Sequence, residues 1–166
     1  IERLGPSYVK IGQFLATRPD VVGADFANDL AFLQDRMATF STGEARAAIE
    51  GSLGRPVSDL YSHFDEPIAA ASIAQVHPAS VLTGDGEKKV AVKVIRPGIR
   101  QRFANDLEAM YLVSRMQERL LPHTRRLRPV EVTKTLEQTT KIEMDLRLEA
   151  AALSEIAENS KNDPGF

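Results

Sequence analysis

Hydrophobic and polar positions alternate in the middle of the chain and recur with helical spacing on both sides of it. Between residues 66 and 96, two β-prone segments flank Gly84-Asp85-Gly86. Glycine accepts a positive φ without steric cost, so this pattern predicts a β-hairpin. In its second strand the pleat separates two sets of side chains, which are Val90, Val92 and Val94 on one face and Ala91, Lys93 and Ile95 on the other.

Before the hairpin, the spacing predicts three helices. The first runs from Pro6 to Arg18, with proline in its first turn and Pro19 ending it. The second carries its apolar residues at i, i+4 and i+7, namely Phe26, Leu30 and Leu33. Ser41 and Glu44 have the spacing of a capping box and open a third helix that ends near Gly54. A small apolar cluster then precedes the hairpin, formed by Leu60, Tyr61 and Phe64.

After the hairpin, two long helices are predicted, from Pro97 to about Leu121 and from about Val130 to about Asn159. The apolar stripe of the first is formed by Phe103, Leu107, Met110 and Val113 or Ser114. In the second, Asp145 and Glu149 share a face, and Arg147 is a possible partner of Glu143.

A basic connector, Pro122–Pro129, joins these two helices. Its arginines are Arg125, Arg126 and Arg128. The favoured interpretation is a solvated loop, because most charge runs are solvated. The alternative is contact with anionic lipid headgroups.

Lys93 is the residue of the hairpin that suggests chemistry. A lone lysine among apolar residues on its own strand face must extend its ammonium to solvent, find a carboxylate or contact a ligand. An exposed strand lysine that keeps a sheet edge soluble is the alternative.

Composition excludes several classes of function. The chain has 166 residues, a net charge of −2, no cysteine and three dispersed histidines. This excludes disulfides and thiolate chemistry, disfavours a histidine metal site, and indicates no nucleic-acid partner. No apolar run approaches the ~20 residues of a membrane span. The chain begins with Ile1 rather than Met and is interpreted as an excerpt of a longer protein.

Four motifs in order support a family resemblance. Lys10-Ile11-Gly12-Gln13 matches KxGQ, residues 69–77 form an alanine-rich loop, Ala91-Val92-Lys93 matches the strand-three lysine of kinases, and Glu143-Met144-Asp145 matches ExD, followed by Glu149. Together they resemble the UbiB family of atypical kinase-like ATPases, the aarF/ADCK-type proteins of ubiquinone biosynthesis. Leu33–Arg36 and Arg125–Pro129 resemble its bacterial members.

The resemblance implies an α+β fold in two parts. Residues 1–62 would be a helical KxGQ extension, and residues 63–166 a protein-kinase-like N-lobe with a small antiparallel sheet and a lengthened helix C. The family's C-lobe, with its catalytic loop and Mg²⁺-binding aspartate, lies further downstream. The one His-x-Asp of the chain, His63–Asp65, precedes the hairpin and is in the wrong order for a catalytic loop. This chain alone is therefore expected to be inactive.

The resemblance also assigns roles. Lys93 would bind the ATP phosphates and pair with Glu149, and Ala91 would lie over the adenine. The alanine-rich loop would hold the nucleotide through Ala70, Ala71, Ser72, Ile73, Ala74, Gln75 and Val76. From the first helix, Lys10 would reach over the cleft to Glu143, with Asp145 second, beside Gln13. Mg²⁺ would be held by residues outside this chain, which offers no metal site of its own.

The implied function is that of an atypical kinase or ATPase supporting ubiquinone biosynthesis, at the cytoplasmic face of the bacterial inner membrane. The alternative is a pseudokinase or lipid-binding scaffold that organises a biosynthetic complex without phosphoryl transfer. The implied partners are nucleotide, an anionic membrane surface, and lipids or proteins of the ubiquinone pathway.

Overall fold

A computed structural model of the chain describes residues 5–32, 37–161 and 163. The chain divides into two compact units, Ile1–Glu108 and Ala109–Phe166. The domain boundary after residue 62, which follows from the family resemblance, stays a prediction.

Three short helices begin the first unit, and prolines set two of their starts. They are α1 (Pro6–Ala16), α2 (Pro19–Val22) and α3 (Ala24–Ala31), and α1 packs against α3. α1 confirms the first predicted helix, and Gly12 within it is buried. The predicted apolar face of the second helix is wrong in part. Ala27 and Leu30 are buried in α3, whereas Phe26 is exposed. Leu33 lies outside the described residues, as does the rest of the Leu33–Arg36 segment.

The third predicted helix is confirmed together with its cap. Ser41 precedes α4 (Thr42–Leu53), and its hydroxyl accepts a hydrogen bond from the Glu44 N–H while the Glu44 carboxylate accepts one from the Ser41 N–H. Gly54 ends α4 in the left-handed conformation, with φ 66°. α5 (Val57–Leu60) follows and leads into the sheet.

A small antiparallel sheet is built around one central strand. Its strands are β1 (His63–Phe64), β2 (Ala69–Ala70), β3 (Ala74–Thr83) and β4 (Gly86–Ile95). β4 pairs with β3 along its whole length, so β1 and β2 share the other edge of β3. Thr83 lies opposite Gly86, and Gly86 has φ 119°. The predicted hairpin is therefore confirmed, with Gly84 and Asp85 as its two turn residues.

The core of the first unit lies on one face of this sheet. Val90, Val92 and Val94 face it, as the strand alternation predicts. Its buried members are Phe40, Ala45, Ile49, Val57, Phe64, Ala79 and Val94, with Leu60 and Tyr61 packed against them. The predicted cluster of Leu60, Tyr61 and Phe64 is thus part of the main core.

The long helix after the hairpin, α6 (Ile99–Leu120), begins in the first unit and ends in the second. Phe103, Leu107 and Ser114 are buried along it, whereas Val113 is exposed, so Ser114 rather than Val113 continues the predicted stripe. The Ser114 hydroxyl is hydrogen-bonded to that of Thr133 at 2.8 Å, which satisfies both buried groups.

Two predictions about the second unit are corrected. The basic connector is a 3₁₀ helix, Pro122–Leu127, rather than a loop. The predicted helix over residues 130–159 is two helices, α7 (Pro129–Glu143) and α8 (Leu146–Asn159). The break falls at Asp145, whose backbone is not helical (φ −98°, ψ 86°) and whose carboxylate accepts a hydrogen bond from the Arg147 N–H at the start of α8. Among the described residues, no helix is both long and apolar enough to cross a bilayer.

The second unit also contains a tyrosine–carboxylate bond that links α6 to α7. The Tyr111 hydroxyl donates to Glu137 at 2.6 Å, and Lys141 donates to the same carboxylate at 2.6 Å. Burial, and then the hydrogen bond to Glu137, raise the pKa of Tyr111 to about 12. The hydrogen bonds from Lys141 and then Tyr111 lower the pKa of Glu137.

Replacement of Tyr111 by phenylalanine tests this bond at alkaline pH. An unfolded tyrosine loses its proton near pH 10, whereas folded Tyr111 keeps it to about pH 12. The free energy of unfolding should therefore fall as the pH rises across this interval. Tyr111→Phe should remove the part of this decrease that comes from the Tyr111 proton. Urea unfolding at several pH values measures it, with Tyr8→Phe in α1 as the matched control. If the free energy of unfolding falls equally steeply with pH in wild type and in Tyr111→Phe, the prediction is wrong.

Candidate nucleotide site

Lys93 and Ala91 lie on the face of the sheet that is turned away from the core, and both are exposed. Lys93 lies opposite Val76 on β3, and Val76 lies opposite Ala69 on β2. Because residues opposite each other in a ladder point to the same face, these three form one row across the sheet. An ammonium group thus stands on an open surface of small and apolar side chains.

The same alternation divides the predicted nucleotide-binding residues into two sets. Ala74 and Val76 share the face of Lys93, whereas Ala70 and Gln75 point to the core face. Between β2 and β3, residues 71–73 form a turn in which the Ala71 N–H donates to the Ala74 carbonyl at 2.8 Å. The Arg96 N–H, just after β4, donates to the Ile73 carbonyl at 2.9 Å. Both sides of the turn are therefore fixed by backbone hydrogen bonds.

The side chain of Gln75 is 1% exposed and fully hydrogen-bonded. Its Oε1 accepts from the Phe40 N–H at 3.1 Å, and its Nε2 donates to the Phe40 carbonyl at 3.1 Å. The second Nε2 hydrogen points to His77 Nε2 at 2.8 Å, so that nitrogen is an acceptor. His77 Nδ1 then carries the proton and donates to the Asp65 carbonyl at 2.8 Å. The amide is consequently part of the core and not free for a ligand.

Gln75 attaches a distant segment, residues 37–40, to the alanine-rich loop, and we call this segment the strap. The Met37 N–H donates to the Ala70 carbonyl at 3.2 Å, and Arg96 Nη2 donates to the Ala38 carbonyl at 2.9 Å. The Arg96 guanidinium also lies over the Phe40 ring, 5.2 Å from its centroid. Burial lowers the pKa of Arg96, with Glu44 opposing the shift. The strap therefore supports the loop from the side of the core.

The KxGQ residues lie on α1 in the same unit. Lys10 and Gln13 are half-buried, and Gly12 between them is buried. A half-buried lysine is what the sequence predicted for this position. Its pairing with Glu143 or Asp145 stays a prediction, as does that of Lys93 with Glu149.

The acidic residues lie at the junction of α7 and α8 in the second unit. Glu143 ends α7, Asp145 precedes α8, and Glu149 lies in the first turn of α8. The Asp145 carboxylate binds Arg147 through two bonds of 2.8 and 2.6 Å. The sequence suggested Glu143 as the partner of Arg147. Within the described chain, Arg147 pairs with Asp145 instead. Nor do Asp145 and Glu149 share a helical face, since Asp145 is not helical.

Sequence reasoning missed the strap and the role of Arg96. Gln75 and Phe40 are 35 residues apart, and no local spacing connects them. A buried glutamine inside an apolar strand was the available signal, because a buried amide must find partners.

Comparisons with known proteins agree with this architecture. A small antiparallel sheet that presents a strand lysine on its open face, flanked by helices, is the arrangement of a kinase-like N-lobe. The model of the ABC1 atypical kinase-like domain matches residues 32–166, and the chain belongs to this family.

Several curated relatives carry the printed name "Probable protein kinase UbiB". The relative from Marinobacter nauticus is 45% identical over 165 residues, and one from Pseudomonas fluorescens is 42% identical over 165. Each alignment covers 99% of this chain but 30% of the relative. The chain thus spans about 30% of the length of the relatives it matches. No solved structure matches the chain.

Replacement of Gln75 by methionine tests the strap. Methionine keeps the length and apolar contacts but leaves the buried Phe40 N–H and carbonyl and His77 Nε2 without partners. Each such group costs about 1–3 kcal/mol, so we expect a loss of about 2 kcal/mol or more in the free energy of unfolding. Urea unfolding of the 166-residue chain measures it.

The matched control is Gln101→Met. Gln101 is exposed on α6 and donates to the Asn105 side chain, so this change should stay within about 0.5 kcal/mol of wild type. Similar losses for the two variants would contradict the role given to Gln75.

Proposed function

We propose that this chain is the nucleotide-binding N-terminal part of an atypical kinase-like ATPase that supports ubiquinone biosynthesis. One observation carries the proposal. Lys93 stands exposed on the open face of the sheet, with Ala91 on the same face and the alanine-rich turn at the end of the adjoining strands. A cation suited to phosphate and a small residue suited to a flat base therefore share one face of the sheet, which supports the proposal.

In this proposal Lys93 neutralises charge on the ATP phosphates. An ammonium on a rigid strand is a preorganised point charge, and such groups contribute most when their position is fixed. Glu149 would fix the ammonium by pairing with it, as the corresponding glutamate does in kinases. Mg²⁺ would be held by acidic residues outside this chain and would supply further positive charge to the phosphates.

The alanine-rich turn would act by being stiff. Glycine loops fold their bare N–H groups over phosphates. Here, residues 69–71 carry Cβ atoms, which restrict φ. The Ala71 N–H and the Ile73 carbonyl are already hydrogen-bonded, and the strap supports the loop. A nucleotide would therefore bind against an ordered turn and not against a flexible glycine-rich loop.

Lys10 would hold α1 over the mouth of the cleft. Its half-burial supports this role, because a lysine removed from water needs a carboxylate partner. Glu143 is the proposed partner, with Asp145 second, and Gln13 lies one turn further along the same face.

The placement in ubiquinone biosynthesis, at the cytoplasmic face of the bacterial inner membrane, rests on the four motifs and on relatives named "Probable protein kinase UbiB". The competing proposal is a pseudokinase or lipid-binding scaffold. The two differ in one measurable property, which is whether the full-length protein turns over ATP.

Lys93→Met in the full-length protein is the test. Loss of a fixed charge at the phosphates should lower ATP turnover by about a hundredfold or more. The control is Lys89→Met, four residues earlier on the same face of β4, where turnover should stay unchanged. Turnover that survives Lys93→Met would refute the role given to Lys93, and absent turnover in a wild type that still binds nucleotide would favour the scaffold.

A charge exchange tests Lys10. In the full-length protein, Lys10→Ala should alter the ATPase rate or the nucleotide preference, because the lid loses its anchor. Lys10→Glu should do the same, and adding Glu143→Lys should restore part of the loss if the two residues pair. ATPase assays with several nucleotides and complementation of ubiquinone production measure this. A Lys10→Ala protein that equals wild type in all of them would refute the lid role.

A further inference from the structure

The second half of α6 carries an exposed apolar stripe on the side away from its buried residues. Leu112, Met116 and Leu120 lie at i, i+4 and i+8, and half or more of each side chain is exposed (61, 50 and 66%). At 100° per residue they lie well away from buried Ser114. Neighbouring Val113 is 61% exposed and widens the stripe.

Arginines border this stripe. Arg115 and Arg119 lie on α6 one turn from its apolar residues, on the side away from Val113. With Arg125 and Arg128 of the connector they line one recess of about 580 Å³, which we call the arginine recess. Glu118, Glu131 and Val130 complete it. Arg126, the third connector arginine predicted from the sequence, is not among its lining residues within the described chain.

Charge in the arginine recess is not balanced. Four arginines face two glutamates, and the Glu118 carboxylate already accepts a hydrogen bond from the Val130 N–H at 3.3 Å. Arg125 is oriented by a 2.7 Å bond from its Nε to the Glu118 carbonyl. In the part of the chain that the structure describes, Arg119 and Arg128 form no ion pair. The recess therefore holds guanidinium groups that are available to an anion, and guanidinium geometry suits phosphate oxygens.

Arg128 adopts a backbone conformation that glycine normally occupies. Its φ of 49° and ψ of 56° are left-handed, and within the described chain it is the sole non-glycine residue with a positive φ. An arginine in this conformation is strained, and strain of this kind collects at binding sites. Arg128 lines the same recess as Arg119 and Arg125.

We propose that the arginine recess and the adjoining stripe form a docking face for an anionic phospholipid bilayer. The arginines bind lipid phosphates, while Leu112, Met116 and Leu120 lie among the upper acyl chains. Basic side chains beside an exposed apolar helical stripe are typical of surfaces that lie in a membrane interface. A free phosphate would explain the arginines but leave the stripe in water. This inference deepens the membrane placement proposed above and is independent of the nucleotide site.

Flotation of the 166-residue chain with vesicles tests it. Vesicles of phosphatidylcholine and phosphatidylglycerol in equal parts should bind the chain, and phosphatidylcholine alone should bind it weakly. Arg119→Gln should weaken binding about fivefold, the value of one basic residue near such a surface. Arg126→Gln is the charge-matched control and should weaken it less. Leu120→Ser should reduce binding at every salt concentration, with Leu153→Ser on α8 as its control.

Arg128→Gly separates binding from folding. Glycine accepts the left-handed backbone, so unfolding should require as much urea as in wild type, or more, while vesicle binding falls. Equal losses for Arg119→Gln and Arg126→Gln would indicate unspecific charge attraction and overturn the recess. If the chain does not bind vesicles, the bilayer is not the occupant. The same conclusion follows if inorganic phosphate binds at Arg119 while vesicles do not bind. A loss of nucleotide binding in the Lys93 variant bears on none of these outcomes.

Discussion

The antiparallel ladder between β3 and β4 determines which side chains enter the core and which remain on the open face. It pairs Gln75 with Val94 and Val76 with Lys93, so neighbouring rungs point to opposite sides. A shift of one residue would bury Lys93 and expose Val94, which the core cannot tolerate. The hydrophobic core thus fixes the register, and the register fixes the exposed lysine.

The loop beside that lysine is held by a polar network rather than by glycine. Gln75 satisfies both backbone groups of Phe40 and also His77, in a place that water does not reach. Such a network is stabilising only when every member is paired, and here each hydrogen of the amide has its acceptor. Arg96 adds a hydrogen bond and a ring contact to the same strap. An alanine-rich turn can therefore be ordered without the flexible backbone of a glycine loop.

The elements that sequence predicted correctly depend on local chemistry. The glycine-flanked turn at Gly84-Asp85, the capping box of Ser41 and Glu44, and the proline start of α1 are each decided within a few residues. The predictions that were wrong or missing concern residues that are far apart in sequence, or a helix with more than one possible apolar face. Phe26 fits a helical stripe, but Ala27 and Leu30 form the buried face of the short α3. The strap required knowledge that residues 35 positions apart meet.

The break between α7 and α8 gives a structural reason for the two-residue spacing of Glu143 and Asp145. Glu143 is the last residue of α7, while Asp145 caps α8. One intervening residue, Met144, is buried and ends α7 as its C-cap. A carboxylate that accepts a free N–H in the first turn of a helix stabilises its start, and Glu149, one turn later, also lies where the helix dipole favours an acidic side chain. Because the cap fixes where α8 begins, Asp145 determines the position of Glu149 along the helix as well as its own.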